Sequence, residues 1–216
     1  MMKLILSLTL IWTLSSTAEA VKCWVGYGTD TNYQTLTPCN PTELCATVAY
    51  QEHMIEYLSK DTVRLCLPSS VISEGKHTFS FNVGFASKAA SVHVCNTDRC
   101  NSEIIPYPRV QKKNNLQCFT CDNRYSAVCD ETVQCVGEQD RCVSGTGKDP
   151  YGTAHTFGCA SANLCEVAPR LELLPDWLFK FLSEPKCCGS SFCNSAWSVK
   201  LNVIPLLFGL ITLIVS

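Results

Sequence analysis

The sequence has little charge of either sign and no long apolar run. Lysine and arginine together number 17 and aspartate and glutamate 19 in 216 residues, which gives a net charge of −2. A chain so nearly neutral lacks the basic surface that attracts nucleic acid. No segment reaches the roughly 20 apolar residues that a membrane-spanning helix needs. There is also no Asn-x-Ser/Thr sequon for N-glycosylation in which x is a residue other than proline. The near-neutral charge therefore predicts no nucleic-acid partner.

A catalytic or metal-binding constellation is also missing. The four histidines are scattered and belong to no nucleophile or metal motif: His53, His77, His93 and His155. The stretch 144–148, Ser-Gly-Thr-Gly-Lys, resembles a phosphate-binding loop but lacks the first glycine at the required offset. We interpret it as part of a hairpin tip. The sequence therefore predicts no enzyme activity, no cofactor and no metal.

Residues 1–20 predict an export signal. Lys3 supplies the positive start, residues 4–14 are mostly apolar, and Ala18 and Ala20 are the small residues that precede a cleavage site. A membrane anchor is the alternative, but the apolar run is too short for it. We expect the mature chain to begin at Val21.

Residues 195–216 predict a signal for glycosylphosphatidylinositol (GPI) attachment. Residues 203–215 form a short apolar tail, and residues 197–202 form a polar spacer. The small residues at the cut are Asn194, Ser195 and Ala196. We predict attachment at Asn194. Ser195 is the alternative, although it places Trp197 where a small residue is preferred.

Cysteine is the abundant residue, and its spacing reveals an internal repeat. Both repeats end in Cys, four residues and Cys-Asn, at positions 95–101 and 188–194. We predict one domain over 21–102, a linker over 103–117 and a second domain over 118–194. The first contains six cysteines and the second ten: Cys23, Cys39, Cys45, Cys66, Cys95 and Cys100, then Cys118, Cys121, Cys129, Cys135, Cys142, Cys159, Cys165, Cys187, Cys188 and Cys193. Export and small domain size both favour disulfides.

Alignment of the repeats from their ends shows where the first has lost cysteines. Ile72 stands where Cys165 would be, and Val94 stands where Cys187 would be. Gly26 likewise takes the place of a cysteine near the start of the repeat. The number lost is even, which indicates that whole bridges are missing.

The opening Leu116-Gln117-Cys118-Phe119-Thr120-Cys121, the pair Cys187-Cys188 and the two Cys-x4-Cys-Asn endings resemble the lymphocyte antigen-six/urokinase receptor family. This resemblance implies a small disulfide-rich all-β protein of two tandem three-finger domains. It also implies the pairing Cys23–Cys45, Cys39–Cys66, Cys95–Cys100, Cys118–Cys142, Cys121–Cys129, Cys135–Cys159, Cys165–Cys187 and Cys188–Cys193. Zinc binding at Cys118, Cys121, Cys187 and Cys188 is the alternative, which an oxidising compartment disfavours.

The segments between cysteines predict hairpins. In the first domain we place a turn at Ser59-Lys60-Asp61, followed by a strand with period-two alternation over 79–85. In the second domain Lys148-Asp149-Pro150 is placed at a hairpin tip. Apolar residues recur at helical spacing over 171–182. We favour a helix packed on the protein over an apolar surface for a partner or bilayer.

The resemblance implies a GPI-anchored cell-surface receptor or adhesion-type protein that binds an extracellular protein and catalyses nothing. Candidate contacts are Tyr57 and Lys60 near a finger tip, and Trp177 and Phe179 in the long segment of the second domain. Urokinase is disfavoured as the ligand, because the family's receptor builds its cavity from three domains. The alternative is a protein similar to the gamma-type phospholipase inhibitors, acting in extracellular fluid after shedding or secretion.

Overall fold

The computed structural model describes residues 20–54, 57–109, 111–126, 128–173, 181 and 184–195. These residues contain eleven β-strands: β1 Lys22–Tyr27, β2 Thr35–Pro38, β3 Glu43–Met54, β4 Tyr57–Pro68, β5 Gly75–Asn82, β6 Ala86–Cys95, β7 Lys113–Thr120, β8 Glu131–Val136, β9 Arg141–Asp149, β10 Gly152–Ala160 and β11 Lys186–Cys188. They also contain one α-helix and three 3-10 segments: α1 Ala162–Val167, then Thr31–Tyr33, Cys100–Ser102 and Ala168–Leu173. The predicted disulfide-rich all-β fold class is confirmed.

Three antiparallel hairpins make up the first domain: β1–β2, β3–β4 and β5–β6. β3 is central, since it pairs with β4 on one side and β6 on the other, and β1 pairs with β4. The turn predicted at Ser59-Lys60-Asp61 is wrong. Lys60 lies within β4 opposite Gln51, and the pairing continues to Met54 and Tyr57. The polar residues reflect an exposed finger rather than a turn.

The second domain repeats this plan with the five strands β7 to β11. β7 pairs with β8 in a separate two-stranded sheet, and β9 pairs with both β10 and β11. The β9–β10 hairpin reverses between Asp149 and Gly152, which overlaps the predicted tip. β7 begins at Lys113, inside the range predicted as linker.

All the strands of the first domain and three of the second, β9 to β11, form one continuous sheet. Its nine strands follow the order β11-β9-β10-β5-β6-β3-β4-β1-β2, so β10 of the second domain lies beside β5 of the first. At this junction Cys159 is paired with Asn82 and Ala160 with Phe81. The Ser161 N–H donates a 2.9 Å hydrogen bond to the Ser80 carbonyl, which extends the ladder. The main apolar core spans the junction, from Phe79 and Val92 to Val143 and Leu164.

Disulfides form a hub at the base of each domain. The first hub buries Cys23, Cys39, Cys45 and Cys95, and the second buries Cys118, Cys135, Cys142 and Cys159. The eight bonds are the same pairs that the family resemblance implies: Cys23–Cys45, Cys39–Cys66, Cys95–Cys100, Cys118–Cys142, Cys121–Cys129, Cys135–Cys159, Cys165–Cys187 and Cys188–Cys193.

The predicted strand over 79–85 corresponds to the end of β5, where Phe79 is buried and Phe81 is half-buried. Of the predicted helix over 171–182, the structure describes only 171–173, the end of a 3-10 segment, and Phe181. Phe181 packs against the main core, with its ring centroid 6.3 Å from that of Phe81. This contact favours packing on the protein over an apolar surface presented to a partner.

Candidate binding cleft

An asparagine after the last cysteine ties the base of each domain together. The Trp24 N–H donates to Asn101 Oδ1 at 3.0 Å, and Asn101 Nδ2 donates to the carbonyls of Trp24 and Ala46 at 2.9 and 3.1 Å. Asn194 makes the corresponding three bonds, to the N–H and carbonyl of Phe119 and to the carbonyl of Val143. Because these side chains satisfy buried backbone groups, they fix the hub from which the fingers project.

Arg64 fixes the chain as it leaves the first domain. Its fully buried guanidinium donates to the carbonyls of Asn101 at 2.6 Å, Ser102 at 3.1 Å and Gly28 at 3.1 Å. Desolvation by burial lowers the pKa of Arg64. Further along, the Thr62 hydroxyl donates to Tyr107 Oη at 3.2 Å. The segment after Ser102 is therefore held against β4.

A cavity of about 350 Å³ lies where this held segment, the first domain's sheet and the second domain meet. Register places Gln51 opposite both Lys60 and Ala89, so these three residues share one face of the sheet. The residues that line the cavity come from β3 to β6, from the linker and from the end of β8 and beyond: Gln51, His53, Leu58, Lys60, Ser80, Phe81, Asn82, Ser87, Lys88, Ala89, Arg109, Gln111, Val136 and Gln139. Its volume is in the range of ligand-binding pockets.

Three basic residues line the cavity and differ in environment; by register the Lys88 side chain lies on the sheet face opposite that of Lys60, since Lys88 pairs with Glu52 and Lys60 with Gln51. Lys88 is buried. Its Nζ lies 4.5 Å from the Tyr50 ring centroid and 3.7 Å from Glu52 Oε2. Desolvation lowers the pKa of Lys88, and the charge of Glu52 raises it partly back. Lys60 is exposed and lies 5.8 Å from the ring centroid of Tyr107. Arg109 is exposed at the end of the held segment.

The structure brings one of the predicted contacts to the cavity. Lys60 lines it, whereas Tyr57 lies beyond it near the exposed end of the β3–β4 hairpin, 66% exposed. Trp177 and Phe179 lie outside the described residues. The sequence prediction missed Arg109, because the linker was treated as a spacer. Its basic run from Arg109 to Lys113 was the available signal.

The predicted terminal signals lie almost wholly outside the described residues, which include only Ala20 of the export signal and Ser195 of the tail. Asn194 is 2% exposed, and Ser195 is half-buried. No helix in the described part of the chain is long and apolar enough to cross a membrane.

Two cysteine triads have sulfurs close enough together to suggest a metal site: Cys23, Cys39 and Cys66, and Cys118, Cys135 and Cys159. A cysteine binds zinc as its thiolate. Every cysteine is in a disulfide, so the triads are neighbouring bridges of the two hubs.

The described histidines do not meet in one site. His53 lines the cavity, His77 contacts the Ser73 carbonyl, and His155 contacts the Thr146 hydroxyl. His93 lies on β6, as its apolar neighbours predict. The stretch 144–148 lies within β9 and does not form a loop.

Comparison with known proteins places the second domain in a family. A family model described as u-PAR/Ly-6 domain matches residues 114–196. This part of the chain is a u-PAR/Ly-6 domain. The resemblance inferred from the cysteine pattern is confirmed there, and u-PAR/Ly-6 domains are a ligand-binding type of fold.

Individual relatives match over 77 residues each. Protein RoBo-1 of Rattus norvegicus is 27% identical, over 34% of this chain and 32% of its own length. A gamma-type phospholipase A2 inhibitor is 35% identical in both Elaphe climacophora and Elaphe quadrivirgata, over 33% of this chain and 38% of the inhibitor. The chain thus spans about a third of the length of these relatives. The crystal structure of mouse TEX101 aligns over 81% of this chain and 98% of its own, with 17% identity and a TM-score of 0.29.

Proposed function

We propose that this protein is a GPI-anchored cell-surface receptor or adhesion-type protein that binds an extracellular protein and catalyses nothing. The observation that carries the proposal is the cavity, which is built by both domains and the linker on a disulfide-bonded frame. A site held in shape before binding loses less conformational entropy when a partner docks. Exposed finger residues such as Tyr57 and Tyr151 add contact surface beyond the cavity.

Surface release tests the anchor. The full chain is expressed in animal cells, which are then treated with phosphatidylinositol-specific phospholipase C. We expect the surface protein to move into the medium, with an unrelated transmembrane protein on the same cells as the control. Surface protein that resists the enzyme contradicts the GPI proposal, and so does protein that is entirely secreted.

The attachment residue needs a test other than substitution. We propose Asn194, with Ser195 as the alternative. Because the Asn194 side chain makes three buried hydrogen bonds, replacing it would destabilise the domain whether or not it carries the anchor. Mass spectrometry of the C-terminal peptide of the released protein separates the two positions without that complication. A peptide ending at neither residue contradicts both.

A second candidate is an inhibitor of secreted phospholipase A2, acting in extracellular fluid. The observation that favours it is the 35% identity to the two Elaphe phospholipase A2 inhibitors, over about a third of their length. The test is titration of a secreted phospholipase A2 with the purified protein. Stoichiometric inhibition, together with secretion from expressing cells, would replace the receptor proposal. Loss of inhibition after disulfide reduction is the matched control.

A further inference from the structure

Charge in the cavity is unbalanced although the whole chain is slightly acidic. Lys60, Lys88 and Arg109 line it, and none of its described lining residues is aspartate or glutamate. The chain's net charge is −2, so this local excess does not reflect a generally basic protein. Glu52 pairs with Lys88. Neither Lys60 nor Arg109 has a carboxylate within 4.0 Å among the described residues.

The backbone positions of the two residues with unneutralised charge are set before any ligand arrives. Lys60 is fixed by its position in β4 opposite Gln51. Arg109 follows two residues after Tyr107, whose hydroxyl accepts a bond from Thr62 and whose ring lies 5.8 Å from Lys60 Nζ. The buried Arg64 holds the start of the same segment. The site therefore presents two positive charges from backbone that needs little ordering when a ligand binds.

We propose that this cavity binds a carboxylate-bearing polypeptide segment, with Lys60 and Arg109 as the residues that recognise its acidic side chains. The inference rests on the proposed function, since it specifies the chemistry of the protein ligand. Arginine can bind a carboxylate with two parallel hydrogen bonds, and lysine adds a point charge. Gln51 and Gln111 line the same space, and an amide side chain can both donate and accept hydrogen bonds with a peptide backbone.

A polypeptide fits these features better than a sulfated polysaccharide does. A polyanion with regularly repeated sulfates is bound by an extended strip of many cations. Here the unneutralised charges are two, and they line a cavity of about 350 Å³ with amide groups around them. That volume suits a few side chains of a peptide.

The test uses the full chain purified from expressing cells, whether it is released from the surface or secreted. The probe is a fluorescein-labelled octapeptide of glutamate, and the control probe is the same octapeptide made of glutamine. Binding is followed by fluorescence polarisation at low and physiological salt. We expect the glutamate peptide to bind, the glutamine peptide to bind at least tenfold more weakly, and added salt to weaken the binding.

The variant that tests the site is Lys60→Gln with Arg109→Gln. We expect it to weaken binding of the glutamate peptide by at least about tenfold, which corresponds to about 1.4 kcal/mol. The matched control is Lys76→Gln with Lys148→Gln, which also removes two exposed positive charges but lies outside the cavity. We expect it to change binding less than about twofold. Because all four residues are at the surface or its rim, unchanged thermal unfolding verifies that each variant is folded.

Three results would overturn the inference. The first is absence of binding to the glutamate peptide, and the second is equal weakening in the two double variants. The third is tighter binding of a heparin hexasaccharide that the Lys60 and Arg109 changes abolish, which would assign the site to a polysaccharide. Failure of this inference can be distinguished from failure of the proposed function. If phospholipase C releases the protein and it still binds an extracellular protein regardless of the Lys60 and Arg109 changes, only the inference is lost.

Discussion

At the scale of single residues, buried polar side chains stabilise the hubs through hydrogen bonds, whereas apolar packing has this role elsewhere. Asn101 and Asn194 each satisfy one backbone N–H and two carbonyls that would otherwise be buried without a partner. A buried polar group left without a hydrogen bond costs about 1–3 kcal/mol. The asparagine of each Cys-x4-Cys-Asn ending is therefore a structural residue of the domain.

Asn101→Ala should lower the free energy of unfolding by at least about 3 kcal/mol, because three backbone groups lose their partner at once. The measurement is urea unfolding followed by tryptophan fluorescence. Asn96→Ala is the matched control, since Asn96 belongs to the same ending but is exposed. We expect it to change stability by less than about 0.5 kcal/mol. Equal losses in the two variants would refute the structural role of Asn101.

Arg64→Lys should also destabilise the first domain, by about 2 kcal/mol, although it keeps the charge. The guanidinium donates from three nitrogens to diverging carbonyls, and a single ammonium cannot reproduce that geometry. Urea unfolding measures the loss, and faster proteolysis within 103–112 reports the released segment. Arg109→Lys, at an exposed position, is the control. A stable Arg64→Lys protein with unchanged proteolysis would show that the three guanidinium hydrogen bonds are not needed to hold the segment.

At the scale of elements, the first domain replaces a missing bridge with apolar packing. Ile72 and Val94 are 4% and 0% exposed and belong to the main core. Val94 pairs with Ala46 on β3, as Cys187 pairs with Val143 on β9. The two domains therefore share one plan, in which either a disulfide or a pair of branched side chains closes the same position.

Replacing the Cys165–Cys187 bridge by two valines should be tolerated better than replacing it by two serines. Opening a bridge with a sequence separation of 22 costs about 3 kcal/mol through unfolded-chain entropy in either case. Serine adds hydroxyl groups beside the main core, which contacts both cysteines. We expect the serine variant to unfold at a urea concentration lower by the equivalent of about 1–2 kcal/mol. Equal urea midpoints of the two variants would indicate that apolar side chains at these positions add no stability over serine.

At the scale of the whole molecule, the two domains are joined by backbone pairing and side-chain contacts. Beyond the β5–β10 ladder, Asn163 Nδ2 donates to the Thr78 carbonyl at 2.8 Å, and Arg170 donates to the Ser70 carbonyl at 2.8 Å. The Thr120 hydroxyl donates to the Val83 carbonyl at 2.6 Å. This junction sets the distance between the linker, the first domain's sheet and Gln139, and so it sets the cavity.

Gly158→Ala should separate the domains while both remain folded. A Cβ at this position would meet the Asn82 carbonyl and lie 2.9 Å from Val83 Cα, both of which are backbone atoms. We expect a larger radius of gyration by small-angle X-ray scattering and faster cleavage within the linker. Gly189→Ala is the control, because its Cβ would make only ordinary contacts with Arg141. Unchanged scattering from Gly158→Ala would mean that the junction accommodates the added methyl group without separation of the domains.

The cysteine spacing by itself determined the repeat and, through the family resemblance, the fold class and the set of bridges now seen in the structure. The turn prediction failed because polar residues are compatible both with a turn and with an exposed strand. Ser59, Lys60 and Asp61 read as a turn, yet they continue β4, because a long exposed finger is polar along its length.

The tertiary structure alone decided that the domains share a sheet and that Lys60 and Arg109 line one cavity. Covalent pairing leaves its record in the spacing of one residue type, so it can be read along the chain. Backbone pairing between β5 and β10 uses groups that every residue carries, and it joins positions 77 residues apart. No pattern of side chains marks such a junction, and only the folded molecule shows which linker residue faces which strand.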